Sequence, residues 1–102
     1  MKKELLEIIN HYGLMKQLKY IHSEYFELDE AIIQREYPAI ARDHKPYELI
    51  EFEKAHIIEE IADIMVMLKQ FQYYYGIEDS EIEKIMLEKI DRQLKRIDEE
   101  CH

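Results

Sequence analysis

The sequence predicts an all-α fold, and three observations lead to that prediction. Its 102 residues include only 2 Gly and 2 Pro, too few turn formers for a multi-stranded sheet and its hairpins. Apolar residues recur at steps of three and four, the period of an amphipathic helix. Hydrophobic residues make up 47% of the chain and charged residues 36%, which suits a packed core and a hydrated surface. We therefore expect one compact four-helix domain spanning residues 1–102.

The first chain breaker, Gly13, separates two predicted helices. A short helix is expected over residues 3–12 and a longer one over residues 14–36. Apolar positions of the longer helix step by three or four and form one stripe, made of Leu14, Leu18, Ile21, Tyr25, Leu28 and Ile32. Because prolines bracket the polar stretch that follows, residues 37–47 are predicted to form the one long loop.

The third helix is predicted over residues 48–75 and would be about 40 Å long at 1.5 Å per residue. Gly76 comes after it, at a position where a residue with a left-handed backbone commonly ends a helix. The fourth helix is expected to begin at Asp79 or Ser80 and to continue to about residue 98. Ser80 and Glu83 have the spacing of a capping box.

Charge and cysteine content limit the classes of function. With 14 basic and 23 acidic residues, the net charge is −9 at pH 7, whereas nucleic-acid-binding proteins concentrate Lys and Arg. The charge-free stretch 64–68 is far shorter than the ~20 residues that span a bilayer. Glutamates near the amino end interrupt any signal-peptide core, and the single Cys101 suits a reducing compartment. We expect a cytoplasmic protein that gathers cations and binds neither nucleic acid nor membrane.

One charged side chain, Asp63, lies among apolar neighbours in residues 61–68 of the third helix. A helix that is apolar on every side is covered on every side, so Asp63 is expected to lie at least partly out of bulk water. An ionised carboxylate there needs a cation or full hydrogen bonding. Glu60 lies one turn earlier on the same face. Because the two carboxylates repel each other, a divalent cation is a better partner than a single lysine.

A matching pair, Glu24 and Glu27, has the same three-residue spacing in the second helix. If the two helices pack antiparallel, four carboxylates meet at the rim of the core. Oxygen ligands suit Mg²⁺ or Mn²⁺, whereas Zn²⁺ prefers closely spaced His or Cys, and the five His residues are scattered. Taken alone, Glu24 and Glu27 are more typical of a solvated face, so the prediction rests on both pairs together.

These motifs resemble those of the MazG-like all-α nucleoside triphosphate pyrophosphohydrolases. The resemblance covers roughly residues 13–97 and centres on an acidic pair in each of two helices. It is carried by Gly13-Leu14-x-x-Gln17-Leu18, Glu24-x-x-Glu27-Leu28-x-x-Ala31-Ile32 and Glu59-Glu60-Ile61-Ala62-Asp63-Ile64. Many members have a further glutamate at the start of the second motif, where this chain has Ser23.

The resemblance implies an enzyme that cleaves a nucleoside triphosphate to the monophosphate and pyrophosphate and that forms homodimers or homotetramers. Glu24 or Glu59 would deprotonate the water that attacks the α-phosphorus. The base and sugar of the substrate, the number of metal ions and the effect of Ser23 stay open. The resemblance also implies a Mg²⁺ site, with Mn²⁺ as a substitute, whose ligands would be Glu24, Glu27, Glu60 and Asp63.

A basic ridge in the fourth helix is the predicted contact for the triphosphate, because arginine offers a planar fork to phosphate oxygens. The same side chains could instead form salt bridges to acids of their own helix. Gln17, near the start of the second helix, is a further candidate for substrate contact, as is Lys16. The ridge consists of Lys89, Arg92 and Arg96, which step by three and four.

Two other classes of function remain open. The first is a non-catalytic helical module that self-associates through the third helix, because a chain of this length cannot cover so long a helix alone. The second is a redox metal protein, which is disfavoured because di-iron bundles use Glu-x-x-His steps. The 8 tyrosines could offer a base a stacking platform but are more typical of core or interface positions.

Overall fold

The computed structural model describes residues 1–41 and 51–101, with the backbone alone for residues 37–41. In these ranges the chain forms four helices and no strand, so the predicted all-α class is confirmed. None of the four helices is both long and apolar enough to cross a bilayer, as far as the described residues go. The helices are α1 (Lys2–Tyr12), α2 (Leu14–Ala41), α3 (Glu51–Tyr74) and α4 (Asp79–Glu100).

The two glycines lie at the helix ends where the sequence predicts them. Gly13 separates α1 from α2 with φ 93°, and Gly76 follows α3 with φ 68°. The Gly76 N–H donates to the Tyr73 carbonyl and the Ile77 N–H donates to the Gln72 carbonyl, both at 3.0 Å. This pair of hydrogen bonds is a Schellman motif, which satisfies carbonyls that the end of α3 would otherwise leave unpaired.

The predicted end of α2 is wrong, because the helix continues through Pro38 to Ala41 instead of ending near residue 36. A proline near the end of a helix removes one backbone hydrogen bond, and here the helix tolerates the loss for a further turn. Residues 42–50 lie outside the described residues. They include the rest of the predicted loop and the predicted start of α3.

The capping box of α4 lies two residues earlier than predicted. Its acceptor is the Glu81 carboxylate, which receives the Glu78 N–H at 2.8 Å. The box therefore does not involve Ser80 and Glu83, because α4 already begins at Asp79.

Helices α2 and α3 pack antiparallel, and α1 packs against both. Near the start of α2, Gln17 Nε2 donates to Gln70 Oε1 near the end of α3, at 2.9 Å. Towards the other end of α2, Arg35 Nε lies 3.4 Å from Glu53 Oε2 near the start of α3. These contacts align the middle of α2 with the middle of α3.

The apolar stripe of α2 is not the face that the helix buries most, because three of its six positions are half-buried and the other three are exposed. Leu18, Tyr25 and Ile32 of the stripe are exposed. The buried face lies about 75° around the helix from the middle of the stripe, at 100° per residue. It carries Gln17, Glu24, Ala31 and Arg35. Among the described residues, the buried apolar side chains are Leu5, Ile9, Ala31, Met67 and Tyr73.

Helix α4 packs against none of the other three helices over the described residues, and all of its side chains are exposed. Its contact with α3 is made by its first residue, Asp79. The Asp79 Oδ1 accepts hydrogen bonds from Lys69 Nζ at 3.0 Å, Gln72 Nε2 at 2.7 Å and Tyr73 Oη at 3.0 Å. These bonds hold the start of α4 while its apolar side stays uncovered.

Candidate metal centre

Four carboxylates meet where the middle of α2 faces the middle of α3. One oxygen from each lies within 4.8 Å of the chosen oxygens of the other three. Ligands on opposite sides of a Mg²⁺ ion are about 4.2 Å apart, at about 2.1 Å per bond, so adjustments of a few tenths of an ångström suffice for a shared ion. The structure thereby brings together the four predicted ligands, Glu24, Glu27, Glu60 and Asp63.

Burial divides the four carboxylates into two kinds. Glu24 is 4% exposed and Glu60 is 9% exposed, whereas Glu27 and Asp63 are exposed. The expectation that Asp63 lies partly out of bulk water is therefore wrong. Its apolar neighbours, such as Met65, also face outward instead of being covered. The buried carboxylate of α3 is Glu60, one turn earlier.

Two of the buried carboxylate oxygens have no hydrogen-bond partner among the described residues. They are Oε2 of Glu24 and Oε2 of Glu60. Withdrawing such an atom from water without a partner costs roughly 1–3 kcal/mol, and more for a charged group, so native proteins seldom leave one unsatisfied. A divalent cation held by the cluster would offer buried carboxylate oxygens of this kind a partner.

Burial raises the pKa of Glu24 above its ordinary value. Repulsion from Glu27 and Asp63 adds to the increase, and a hydrogen bond from the Tyr20 hydroxyl opposes it. The pKa of Tyr20 is itself raised, because its proton is held in the hydrogen bond to Glu24. A bound cation acts in the opposite sense and favours the ionised carboxylate.

The structure contains two contacts of the cluster that the sequence analysis does not predict. Tyr20 hydrogen-bonds to Glu24, and His56 Nε2 lies 3.5 Å from Glu60 Oε1. Each neighbour precedes its glutamate by four residues and so lies on the same helix face. That spacing is the signal by which both could have been found.

A cleft of about 420 Å³ opens beside the cluster, between α1, α2 and α3. This volume lies in the range of small-molecule sites. Lys16 enters the cleft with its ammonium 5.2 Å from the centre of the Tyr12 ring. The lining also includes Tyr20, Glu24, Asp63 and the buried amides of Gln17 and Gln70. Gln17, which the sequence analysis names as a candidate for substrate contact, lines this cleft, and its amide donates to Gln70.

The other predicted site residues lie elsewhere. Glu59 is exposed and lines a separate shallow depression on α3 with Phe52, Ala55 and His56. The basic ridge, Lys89, Arg92 and Arg96, is exposed on α4. Because α4 packs against no other described helix, one chain does not bring this ridge to its own cleft.

Fold and site together define an all-α protein with a cluster of four acidic residues that could hold a metal ion. Comparison of the chain with protein-family models, with curated proteins and with solved structures finds no match. The function is therefore inferred from the sequence motifs and the geometry of the site.

Proposed function

We propose that this protein is a Mg²⁺-dependent nucleoside triphosphate pyrophosphohydrolase. The observation that supports the proposal best is the pair of buried oxygens of Glu24 and Glu60 that no described residue partners, in a four-carboxylate cluster next to a cleft. The donors are all carboxylate oxygens, which is the ligand type that Mg²⁺ prefers. The resemblance of the motifs to MazG-like pyrophosphohydrolases supports the same activity.

The four acidic residues have different roles in this proposal. Glu24 and Glu60 lie between the packed helices and would fix the position of Mg²⁺, while Glu27 and Asp63 face the solvent from which the triphosphate enters. When bound, Mg²⁺ supplies positive charge to the phosphate oxygens and lowers the pKa of a coordinated water. Mn²⁺ would be accepted by the same oxygen donors.

In the proposed reaction, water adds to the α-phosphorus and the bond from this phosphorus to the α,β-bridging oxygen breaks. The products are the nucleoside monophosphate and pyrophosphate, and the water loses a proton to a carboxylate. Glu24 suits the role of acceptor because it belongs both to the cluster and to the cleft lining. Glu59 lines a different surface, so its position supports the role less well.

The cleft offers contacts for the substrate. Lys16 is a basic residue of its lining and can neutralise part of the charge of the triphosphate. The Tyr12 and Tyr20 rings also line the cleft, and aromatic rings stack on bases of every kind. The contacts therefore support a nucleotide as the substrate without selecting one base.

The test is pyrophosphate release from a panel of ribo- and deoxynucleoside triphosphates, with Mg²⁺ and with Mn²⁺. We expect turnover of at least one triphosphate, and a loss of about 100-fold or more in kcat/KM for Asp63→Asn and Glu60→Gln, because each removes one ligand charge. Glu83→Gln, an exposed change on α4, is the matched control. Absence of pyrophosphate release from every triphosphate, or full turnover in both ligand variants, would refute the proposal.

A second candidate is a non-catalytic helical module that acts by self-association. The large apolar side chains exposed on α2, α3 and α4 favour it. Titration calorimetry separates the two candidates. The enzyme should bind Mg²⁺ with a heat that disappears in Glu60→Gln, whereas the module should give no Mg²⁺ signal.

A further inference from the structure

The four carboxylates of the cluster lie at two levels along the α2–α3 pair. Counting equal numbers of residues from the hydrogen-bonded amides near the start of α2 and the end of α3 places Glu24 opposite Asp63. One turn further along α2, the same count places Glu27 opposite Glu60. Each level therefore holds one buried and one exposed carboxylate. The buried one belongs to α2 at the first level and to α3 at the second.

Each buried glutamate has a hydrogen-bond donor one turn before it on the same helix. Tyr20 donates its hydroxyl to the carboxylate of Glu24. His56 Nε2 lies 3.5 Å from Oε1 of Glu60, and an imidazole nitrogen that close to a carboxylate oxygen carries the proton. Helical side chains lean towards the start of their helix, so a glutamate reaches the residue four positions earlier. Because α2 and α3 are antiparallel, the two donors lie at opposite ends of the cluster.

These donors occupy only part of each carboxylate. Oε2 of Glu24 and Oε2 of Glu60 stay buried without a partner among the described residues. A metal ligand benefits from this division, because one oxygen fixes the side chain while the other is available to the ion. The Tyr20 hydroxyl is also neutral, so it holds the glutamate without offsetting the negative charge that attracts a cation, whereas a lysine there would offset it.

We propose that Tyr20 and His56 are positioning residues of the candidate metal centre. Each holds one oxygen of a buried glutamate and thereby fixes the carboxylate in the orientation that binds a divalent cation. Neither side chain is itself among the four candidate ligands, and His56 also lies outside the lining of the cleft. Both roles rest on the metal centre of the proposed function, whichever triphosphate is the substrate.

Calorimetric titration of the full chain with Mg²⁺, in the absence of nucleotide, tests both roles. Tyr20→Phe removes one hydroxyl and keeps the ring, and His56→Leu removes the imidazole. We expect each variant to raise the Kd for Mg²⁺ by about 10- to 100-fold, the usual effect of removing a group that orients a metal ligand. His56→Gln should bind Mg²⁺ more tightly than His56→Leu, because the glutamine amide offers an N–H donor at a similar reach.

Two matched variants separate positioning from packing. Tyr25→Phe removes a hydroxyl from an exposed tyrosine of α2, and His22→Leu replaces an exposed histidine of the same helix. Both should bind Mg²⁺ like the wild-type chain. Because Tyr20 is exposed and His56 is half-buried, Tyr20→Phe and His56→Leu should keep a melting temperature close to that of wild type in EDTA. A lower melting temperature with unchanged Mg²⁺ affinity would indicate a role in packing alone and would overturn the proposal.

Pyrophosphate release by the same proteins distinguishes these roles from the proposed activity. If the wild-type chain binds Mg²⁺ and both Tyr20→Phe and His56→Leu bind it equally well, the positioning roles are overturned and the proposed activity is not affected. If the variants lose affinity as expected but the wild-type chain releases no pyrophosphate from any triphosphate, the roles are supported and the activity is refuted. A wild-type chain that binds no Mg²⁺ would overturn both.

Discussion

The single-residue feature with the strongest consequence is a buried glutamate whose second oxygen has no partner among the residues that the structure describes. Glu60 is 9% exposed, and its Oε1 lies 3.5 Å from His56 Nε2 while its Oε2 is buried and unpartnered. In a purely structural site such a carboxylate would be a defect, because burial without a partner is costly. In a metal site, the same carboxylate would bind the ion through this oxygen. Stability measurements can separate the two cases.

Replacing Glu60 with Gln should stabilise the metal-free protein by about 1–3 kcal/mol, because the charge of a buried carboxylate with an unpartnered oxygen is removed. The same change should remove the stabilisation by Mg²⁺, which for the wild-type chain would be about 2.7 kcal/mol at 100 times Kd. Chemical unfolding with EDTA and with Mg²⁺ measures both effects. Glu83→Gln should leave both unchanged, and a Glu60→Gln variant less stable than wild type in EDTA would contradict a ligand role.

Both acidic pairs and both glycine turns could be predicted from the sequence because their signals are local. A three-residue step puts Glu24 and Glu27 on one face in any helix, and Gly76 adopts a positive φ at little cost. The buried face of α2 could not be predicted in this way. An apolar stripe indicates that the stripe will be covered, but not whether the same chain or a second one covers it. The wrong expectation for Asp63 has the same cause.

At the scale of the helix, the junction between α3 and α4 is fixed by one carboxylate. Hydrogen bonds from Gln72, Lys69 and Tyr73 lower the pKa of Asp79 from 3.8 to about 2. The Schellman motif at Gly76 sets the backbone direction, and the Asp79 contacts then hold the first turn of α4 against α3. This junction is therefore expected to respond to acid.

The pKa of Asp79 is lower in the folded chain than in the unfolded chain. The carboxylate therefore contributes stability that is fully present above about pH 4 and is lost as the pH falls towards about 2. Asp79→Asn should reduce the melting temperature at pH 7 and leave it closer to that of wild type at pH 2. Thermal unfolding from pH 7 to pH 2 measures the difference. Asp91→Asn, which removes an exposed partner of Lys95 within α4, is the control. An equal gap between Asp79→Asn and wild type at all pH values would exclude this linkage.

For the whole molecule, the distribution of apolar surface predicts that folding and association are coupled. The described part of one chain buries five apolar side chains, whereas the neighbouring helices α2 and α3 leave seven large ones of their apolar rows exposed, namely Leu18, Tyr25, Ile32, Ile58, Ile61, Met65 and Leu68. A protein that gains much of its apolar burial by dimerising unfolds at a temperature that rises with its concentration. We therefore expect the melting temperature of the wild-type chain to increase over a hundredfold range of concentration, and that of Met65→Lys to be lower and constant. Differential scanning calorimetry measures both, and Met15→Lys should retain the wild-type dependence. A wild-type melting temperature independent of concentration would mean that the three packed helices are stable without a partner, and the exposed apolar rows of α2 and α3 would then need another explanation.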